Sequence, residues 1–494
     1  MKKRKKKQAI KITDMLKKDA KHSSGTADWL QEEMKDSDDF HIKTMGKFPS
    51  LLLAYCETLI DEKYIDRTIL TKLAEENVED TDLINEIPRL FQTIHLSKKP
   101  KEEIIHALLT GSLLFIIDDM IYQLNILDIP LRNVEETSYE SSIRGPRDGF
   151  VEDLNTNLSL IRRRLKSSSL AVEIYTLGNR SKTRTALLYF KDVINPDILQ
   201  DIKSRLSNID IDIMVSTQQL EELIKDNPYS LFPLFDSTGR PDFVIQTLNQ
   251  GRFALIIDGS PTASIAPVNL PMLINSPEDA TQKFIYSSFQ RILRLFSLFL
   301  ATLLPGLWIA LIGFNVEQIP YQLVATISIS RVGLPLSPAQ EMFITLVLFE
   351  LFNEAGVRLP KAVGQTVAVL GGLIVGDAAI RSGLTSPSML VIASITFVSS
   401  YTLVNQSLTT SITLTRFLIL FLSTFFGLLG FITGFLGLVI YLATLSSFGV
   451  PYLSNFAPFS WKEIIGSLLK KPAFFYKKRA ASTMPQSAER EGNE

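Results

Sequence analysis

From Phe296 to Ser460 only ten charged side chains stand among 165 residues, while the rest of the chain holds 93. A surface so poor in charge cannot face water over that length, so the second half is expected to meet a different solvent from the first. Five apolar segments lie there: Ile292 to Phe314, Met342 to Phe352 with its flanks, Val363 to Ile380, Met389 to Val404, and Phe417 to Leu445. A single helical span needs about 20 residues. The last segment, 29 residues long, fits a tilted span or a tight pair, and both readings stay open. Arg291 and Arg294 before this half, and the basic run Lys470 to Arg479 after it, put both borders on the cytoplasmic side and make the number of crossings even. The proline-broken stretch Ile319 to Leu336 and the short segment after it are the candidates for an irregular part.

The first 280 or so residues read as soluble. Residues 1–40 form a polar leader in which Met1 to Lys11 carries seven Lys or Arg and no acid, a pattern of solvated termini that also suits anionic lipid. No apolar run of signal-peptide length follows, so a cytoplasmic location is expected. A lone Cys56 excludes an internal disulfide. Residues 41–165 are expected to form a first, mostly helical subdomain, with Leu113 to Ile117 as a possible strand. Residues 166–275 read as an α/β subdomain with strands at Leu170 to Thr176, Thr185 to Lys191, Ile209 to Val215 and Phe253 to Asp258. Asn195 and Pro196 are a good N-cap and first-turn pair for the helix between the second and third. Ser276, Pro277, Glu278 and Asp279 read as the start of a helix running into the apolar half, residues 276–460, and 461–494 as a cytoplasmic basic tail. The expected fold class is therefore a cytoplasmic α/β N-terminal domain of two subdomains plus a polytopic α-helical transmembrane domain.

Enzymatic motifs are missing: there is no GxxxxGK[ST], no GxSxG, and no Cys or His pair at metal-ligand spacing. His22, His41, His95 and His106 are scattered, and the acid pairs Asp118 with Asp119 and Glu152 with Asp153 are ordinary at solvated turns. No catalytic residue, metal or cofactor is expected, and no nucleic-acid partner. Gly145, Pro146, Asp148 and Gly149 are turn signals. Behind them Phe150, Leu154, Leu158 and Ile161 recur at helical spacing up to Arg162, Arg163 and Arg164. That pattern fits a buried hinge helix between subdomains, or a joint that relays motion or docks a partner.

In the apolar half, Glu341, Glu350, Glu354, Arg358, Asp377 and Arg381 need explaining, because an unpaired charge in hydrocarbon costs several kcal/mol. Glu350, Glu354 and Arg358 would share a helix face and allow a Glu354–Arg358 pair, serving as an interfacial anchor or as a gate or ion path. Gly364, Ala368, Gly372, Gly376 and Ala379 fall at spacings of 4, 4, 4 and 3, and Gly427, Gly430, Gly434 and Gly437 repeat the idea. Such small faces suit tight helix packing. They also suit the lining of a narrow pore around a symmetric axis.

The motifs GPRDGFVEDLNTNLSLIRRR, FDSTGRPDFV, GRFALIIDGSP, ELFNEAGVRLPKAVGQ and FGVPYLSNFAPF, in order between about residue 100 and residue 460, resemble the A subunit of the spore nutrient germinant receptors, the GerA family. The resemblance implies an inner spore membrane protein acting with a transporter-like B subunit and a lipoprotein C subunit. It further implies that A subunits oligomerise into a nutrient-gated ion channel. A secondary transporter component and a membrane-anchored signalling scaffold are the alternatives; the first is disfavoured by the lack of an internal repeat in the apolar half.

Overall fold

In the computed structural model, residues 25–45, 48–60, 62–75, 82–97, 99–118, 120–126, 145–358 and 376–454 are described, with 465–466, 469–472, 475, 479, 481–487 and 489 of the C-terminal stretch. The segment LLLAYC, which reads as helix by composition, is the second half of strand β2 (Phe48–Cys56). It pairs on one side with β1 (Phe40–Met45) and on the other with β4 (Ser112–Ile117), which in turn pairs with β5 (Met120–Asn125) and, beyond it, β3 (Ile94–His95). The first unit, expected to be mostly helical, is thus an antiparallel five-stranded sheet covered by α1 (Gly25–Glu33), α2 (Leu83–Phe91) and α3 (Lys101–Leu109). The correction has a simple cause. Leu51 to Cys56 and all of β4 are buried on both faces, so neither strand shows the apolar–polar alternation that marks a half-exposed one.

The second unit is another antiparallel five-stranded sheet, in the order β6 (Leu170–Leu177), β7 (Thr183–Phe190), β9 (Phe253–Ile257), β10 (Ala263–Ala266), β8 (Asp236–Thr238). Helix α5 (Pro196–Ser207) starts as its sequence implies, with the Asn195 side chain accepting from the Asp197 amide at 2.9 Å. The run Ile209 to Val215 forms no strand: Ile211 and Asp212 accept backbone bonds from the turn residues Asn179 and Arg180, and Ile213 and Val215 are exposed. Helices α6 (Thr217–Ile224), α7 (Pro241–Leu248) and α8 (Leu270–Ile274) complete the unit.

Between the two sheets lies α4 (Leu154–Arg164), capped by Asp153, whose carboxylate accepts from the Thr156 amide at 2.8 Å. Phe150, Leu154, Leu158 and Ile161 are all buried in the core of the second unit. At its other end Arg162, fully buried, donates two bonds to Asp39 at 3.0 and 2.8 Å and others to Ser37 Oγ and the Leu170 carbonyl. Beside it, residues 36–38 bond to the edge strand β6: the Asp38 amide to the Val172 carbonyl, and the Val172 amide to the Asp36 carbonyl. A charged bond and a strand edge therefore join the two units.

The helical half begins after a break. Ser276 and Asp279 form a capping box over the short turn Pro277–Ala280, and the long helix α9 (Phe284–Phe314) starts only at Phe284. There follow α10 (Tyr321–Ser330) in the proline-broken stretch, α11 (Pro338–Arg358), α12 (Pro387–Tyr401) and the apolar run α13 (Gln406–Thr444). Among the described residues α9 and α13 are long and apolar enough to cross a membrane, and α12 is shorter.

The run α13 is a hairpin. A straight helix of 39 residues would hold its ends ~58 Å apart at 1.5 Å per residue. Instead Ser411 near its start donates to the Leu231 carbonyl at 2.6 Å, while the Tyr441 hydroxyl near its end accepts from the Leu231 amide at 2.9 Å. The reversal is at Gly427, whose φ of 57° and ψ of −134° are not helical. Returning, Gly430 lies against the Leu422 carbonyl and Gly434 against Ile419. The 29-residue apolar segment is thus folded back on itself as a tight pair of helices.

Candidate functional site at the base of the helices

The helices do not stand apart from the second sheet. Leu403, Leu408, Ile412, Leu442, Leu445 and Phe448 belong to the same buried cluster as the strands beneath them. Polar contacts lock this join. Ser447, just after the hairpin, donates to the Leu234 carbonyl and accepts from the Val268 amide, and Asn269 donates to Ser454.

Three buried ionic clusters are built on that base. Asp279 receives Arg294 in a two-pronged contact and Arg291 at 2.9 Å, both from α9, so the arginines that mark the border in sequence are held by the cap turn preceding their own helix. Nearby, Arg240 bonds both oxygens of Asp242 and reaches Glu278 at 2.5 Å. Lys470 closes the turn from the C-terminal stretch, its Nζ donating to the carbonyls of Asp279, Ala280 and Gln282. The third cluster centres on Asp236 of β8, which accepts from Asn405 Nδ2 at 2.7 Å; Asn405 is the N-cap of α13. Around it stand Arg252, Glu221 and Tyr452.

Burial pushes the Asp236 carboxyl up to about 7, in spite of the Asn405 hydrogen bond and the Arg252 charge, and pushes Arg252 down to about 10. Asp236 therefore keeps a proton in the folded protein between about pH 4 and pH 7, where the unfolded carboxyl has lost it. Its stabilising contribution is complete below that window and lost as pH rises through about 7. Thermal melts of the detergent-solubilised chain should give a lower Tm at pH 8 than at pH 5, and Asp236→Asn should shrink that difference. An unchanged difference in the variant would remove Asp236 from the junction's pH response.

Higher in the helices two more charges are buried. Arg416 lies 3.6 Å from Glu350 and donates to Ser400 and Thr413. Glu341 is bound by Arg331 at 2.8 Å and by Thr385 and Ser386. Sequence reasoning singled out the two glutamates and missed both arginines. Both are among the ten charges of this half, but Arg416 stands one residue before an apolar segment and Arg331 lies in the proline-broken stretch, so neither falls inside an apolar segment.

Residues 28–482 match the model of the Bacillus/Clostridium GerA spore germination protein. The chain belongs to the GerA family. It is 41% identical to spore germination protein XA of Bacillus anthracis, covering 87% of this chain and 89% of that protein. It is 33% identical to spore germination protein KA of Bacillus subtilis, covering 96% and 87%. It is also 37% identical to the B. subtilis membrane protein YfkQ, covering 71% and 68%. Among solved structures, the N-terminal domain of the A subunit of the Bacillus megaterium spore germinant receptor GerK3 aligns with a TM-score of 0.36 and 27% identity, over 49% of this chain and 92% of that one.

In this GerA-family chain the residues singled out by sequence are placed as follows. Gly145 to Gly149 lead into α4 as a turn: Asp148 takes both bonds of Arg164, and the Phe150 amide bonds the Gly239 carbonyl. Gly149 is buried and is not among the residues with positive φ, so backbone strain does not require glycine there. Glu354 pairs with Arg358 at 2.6 Å and Asp377 with Arg381 at 2.8 Å, all four exposed. Gly376 faces Leu390 of α12, where an added Cβ would lie 3.1 Å from its Cδ2. Gly364, Ala368 and Gly372 lie outside the described residues.

Proposed function

We propose that this A subunit is a polytopic protein of the inner spore membrane that oligomerises into a nutrient-gated ion channel, acting with a transporter-like B subunit and a lipoprotein C subunit. The observation that carries the reading is the pair of exposed ion pairs. Glu354–Arg358 and Asp377–Arg381 bracket residues 359–375 within an otherwise apolar half. Exposed pairs at the two ends of a span meet water or headgroups, so the 17 residues between them are of a length to cross the layer, and their small side chains suit a lining around an oligomer axis. Gly364, Ala368 and Gly372 stand in the bracketed stretch, and on this reading they line the lumen, while Gly376, expected there too, packs against Leu390 of α12.

Connectivity supports the even crossing number. Glu341 meets Ser386 at one end of the bundle and Asn353 meets Tyr401 at the other, so α11 and α12 run parallel. Arg358 and Gly376 therefore lie toward opposite ends of the bundle. With α9 and the two hairpin arms, the soluble half and the tail share the cytoplasmic side.

Ala368→Leu tests the lumen. Planar-bilayer recording of the purified protein should give unitary currents that shrink several-fold in the variant while particle size in detergent stays unchanged. Unaltered currents, or loss of assembly without any change in conductance, would assign the small face to packing.

A further inference from the structure

Between Asp226 and Asp236 the soluble half carries nine uncharged residues, NPYSLFPLF. The loop is pre-formed. The Asn227 side chain accepts from the Tyr229 amide at 3.0 Å, the Asn227 carbonyl accepts from the Ser230 amide at 3.1 Å, and Pro228 fixes the backbone between them. Phe232 is buried against the rings of Tyr441 and Tyr452, each 6.2 Å away. Tyr229, by contrast, is 94% exposed and Leu231 40%. An aromatic held rigidly outward on a loop without charge is a poor fit to water and a good fit to a bilayer interface.

The helices supply a depth scale. Leu231 is clamped between Ser411 and Tyr441. These stand 16 and 14 residues below the hairpin turn at Gly427, or ~24 and ~21 Å at 1.5 Å per residue. A hydrocarbon layer is ~30 Å thick. The same depth marks its near edge on α9, where Phe314 packs beside Gly427 and the Asp279-bound Arg294 is 20 residues lower. Asp226, held by Arg205 and by Ser446 just past the hairpin, lies near that edge too. The Leu231 clamp is thus ~6–9 Å inside the boundary, and Tyr229 is two residues from it.

We propose that the loop 227–232 dips into the headgroup and upper acyl layer of a phospholipid bilayer, with Tyr229 as its anchor, so that the second sheet is seated on the membrane beside the hairpin base. The inference rests on the membrane reading given above, and the test separates the two. Spin labels are placed singly at Tyr229→Cys, Leu231→Cys, Phe425→Cys and Ile94→Cys in the full chain, reconstituted into phosphatidylcholine–phosphatidylglycerol vesicles. The native Cys56 is buried, and the unsubstituted chain reports its background. Phe425, 62% exposed on the hairpin, reports lipid, and Ile94, 61% exposed on the first sheet, reports water. Collision with oxygen should exceed collision with a water-soluble nickel chelate several-fold at Tyr229 and Leu231, as at Phe425. Nickel-favoured values at Tyr229 matching Ile94, with Phe425 still oxygen-favoured, overturn the loop proposal alone. Low access to both reagents at Tyr229 with dipolar broadening also overturns it, in favour of a second copy covering the loop. Nickel-favoured values at Phe425 would instead sink the membrane reading itself.

Discussion

Replacing Arg162 with leucine should destabilise the protein by about 3–5 kcal/mol, among the largest effects of any single exchange in the two sheet units. The guanidinium is fully buried and bonds Asp39 at 3.0 and 2.8 Å, Ser37 Oγ at 3.1 Å and the Leu170 carbonyl at 3.3 Å. Its loss leaves the Asp39 carboxylate, itself 1% exposed, with the Thr58 hydroxyl to offset its charge. The cost arises from the stranded partner more than from the lost bonds, so the double variant Asp39→Leu with Arg162→Leu should recover a large share of it. Urea titration followed by far-ultraviolet circular dichroism checks both. Because Arg162 joins the first sheet to the second through Ser37 and Asp39, the single variant should also separate the unfolding of the two sheets into distinct steps. A single unshifted transition in Arg162→Leu would show that the join contributes little.

That join illustrates what was legible in the sequence. The hinge helix was readable, since Phe150, Leu154, Leu158 and Ile161 are spaced as a helix face and all four are buried. The purpose of Arg162 was not, because its partner Asp39 stands 123 residues earlier in the chain. Strands followed the same division. β6, β7 and β9 were readable from runs of branched residues, but β2, buried on both faces, reads equally well as helix. The three and four residues of β8 and β10 are too short to carry any period. In the apolar half the segments were visible as stretches without charge. Their packing was not, because Arg416 finds Glu350 only across helices that sequence cannot orient.

Gly427→Ala should prevent the hairpin from closing, while Gly437→Ala, where an added Cβ would meet nothing within 4 Å, should be tolerated. Two independent costs act at Gly427. Its φ of 57° with ψ of −134° is a conformation that an L side chain adopts only with strain of about 1–3 kcal/mol. A Cβ there would also lie 2.6, 2.8 and 2.9 Å from the Cγ, Cβ and Cδ2 of Phe314, at the end of α9, and forcing that contact adds about 1–3 kcal/mol. Both costs fall on the point where the two arms reverse and where α9 packs against them. The consequence should therefore reach the base, because Ser411 and Tyr441 clamp Leu231 only while both arms stay side by side. Accumulation in the membrane fraction and the Tm in detergent should both drop in Gly427→Ala. The double variant with Phe314→Ala separates the two costs: it removes the clash and leaves the strain, so a partial recovery of Tm is expected. Full recovery would mean that the backbone at Gly427 is unstrained, and no loss in the single variant would mean that the arms are not held by this turn at all.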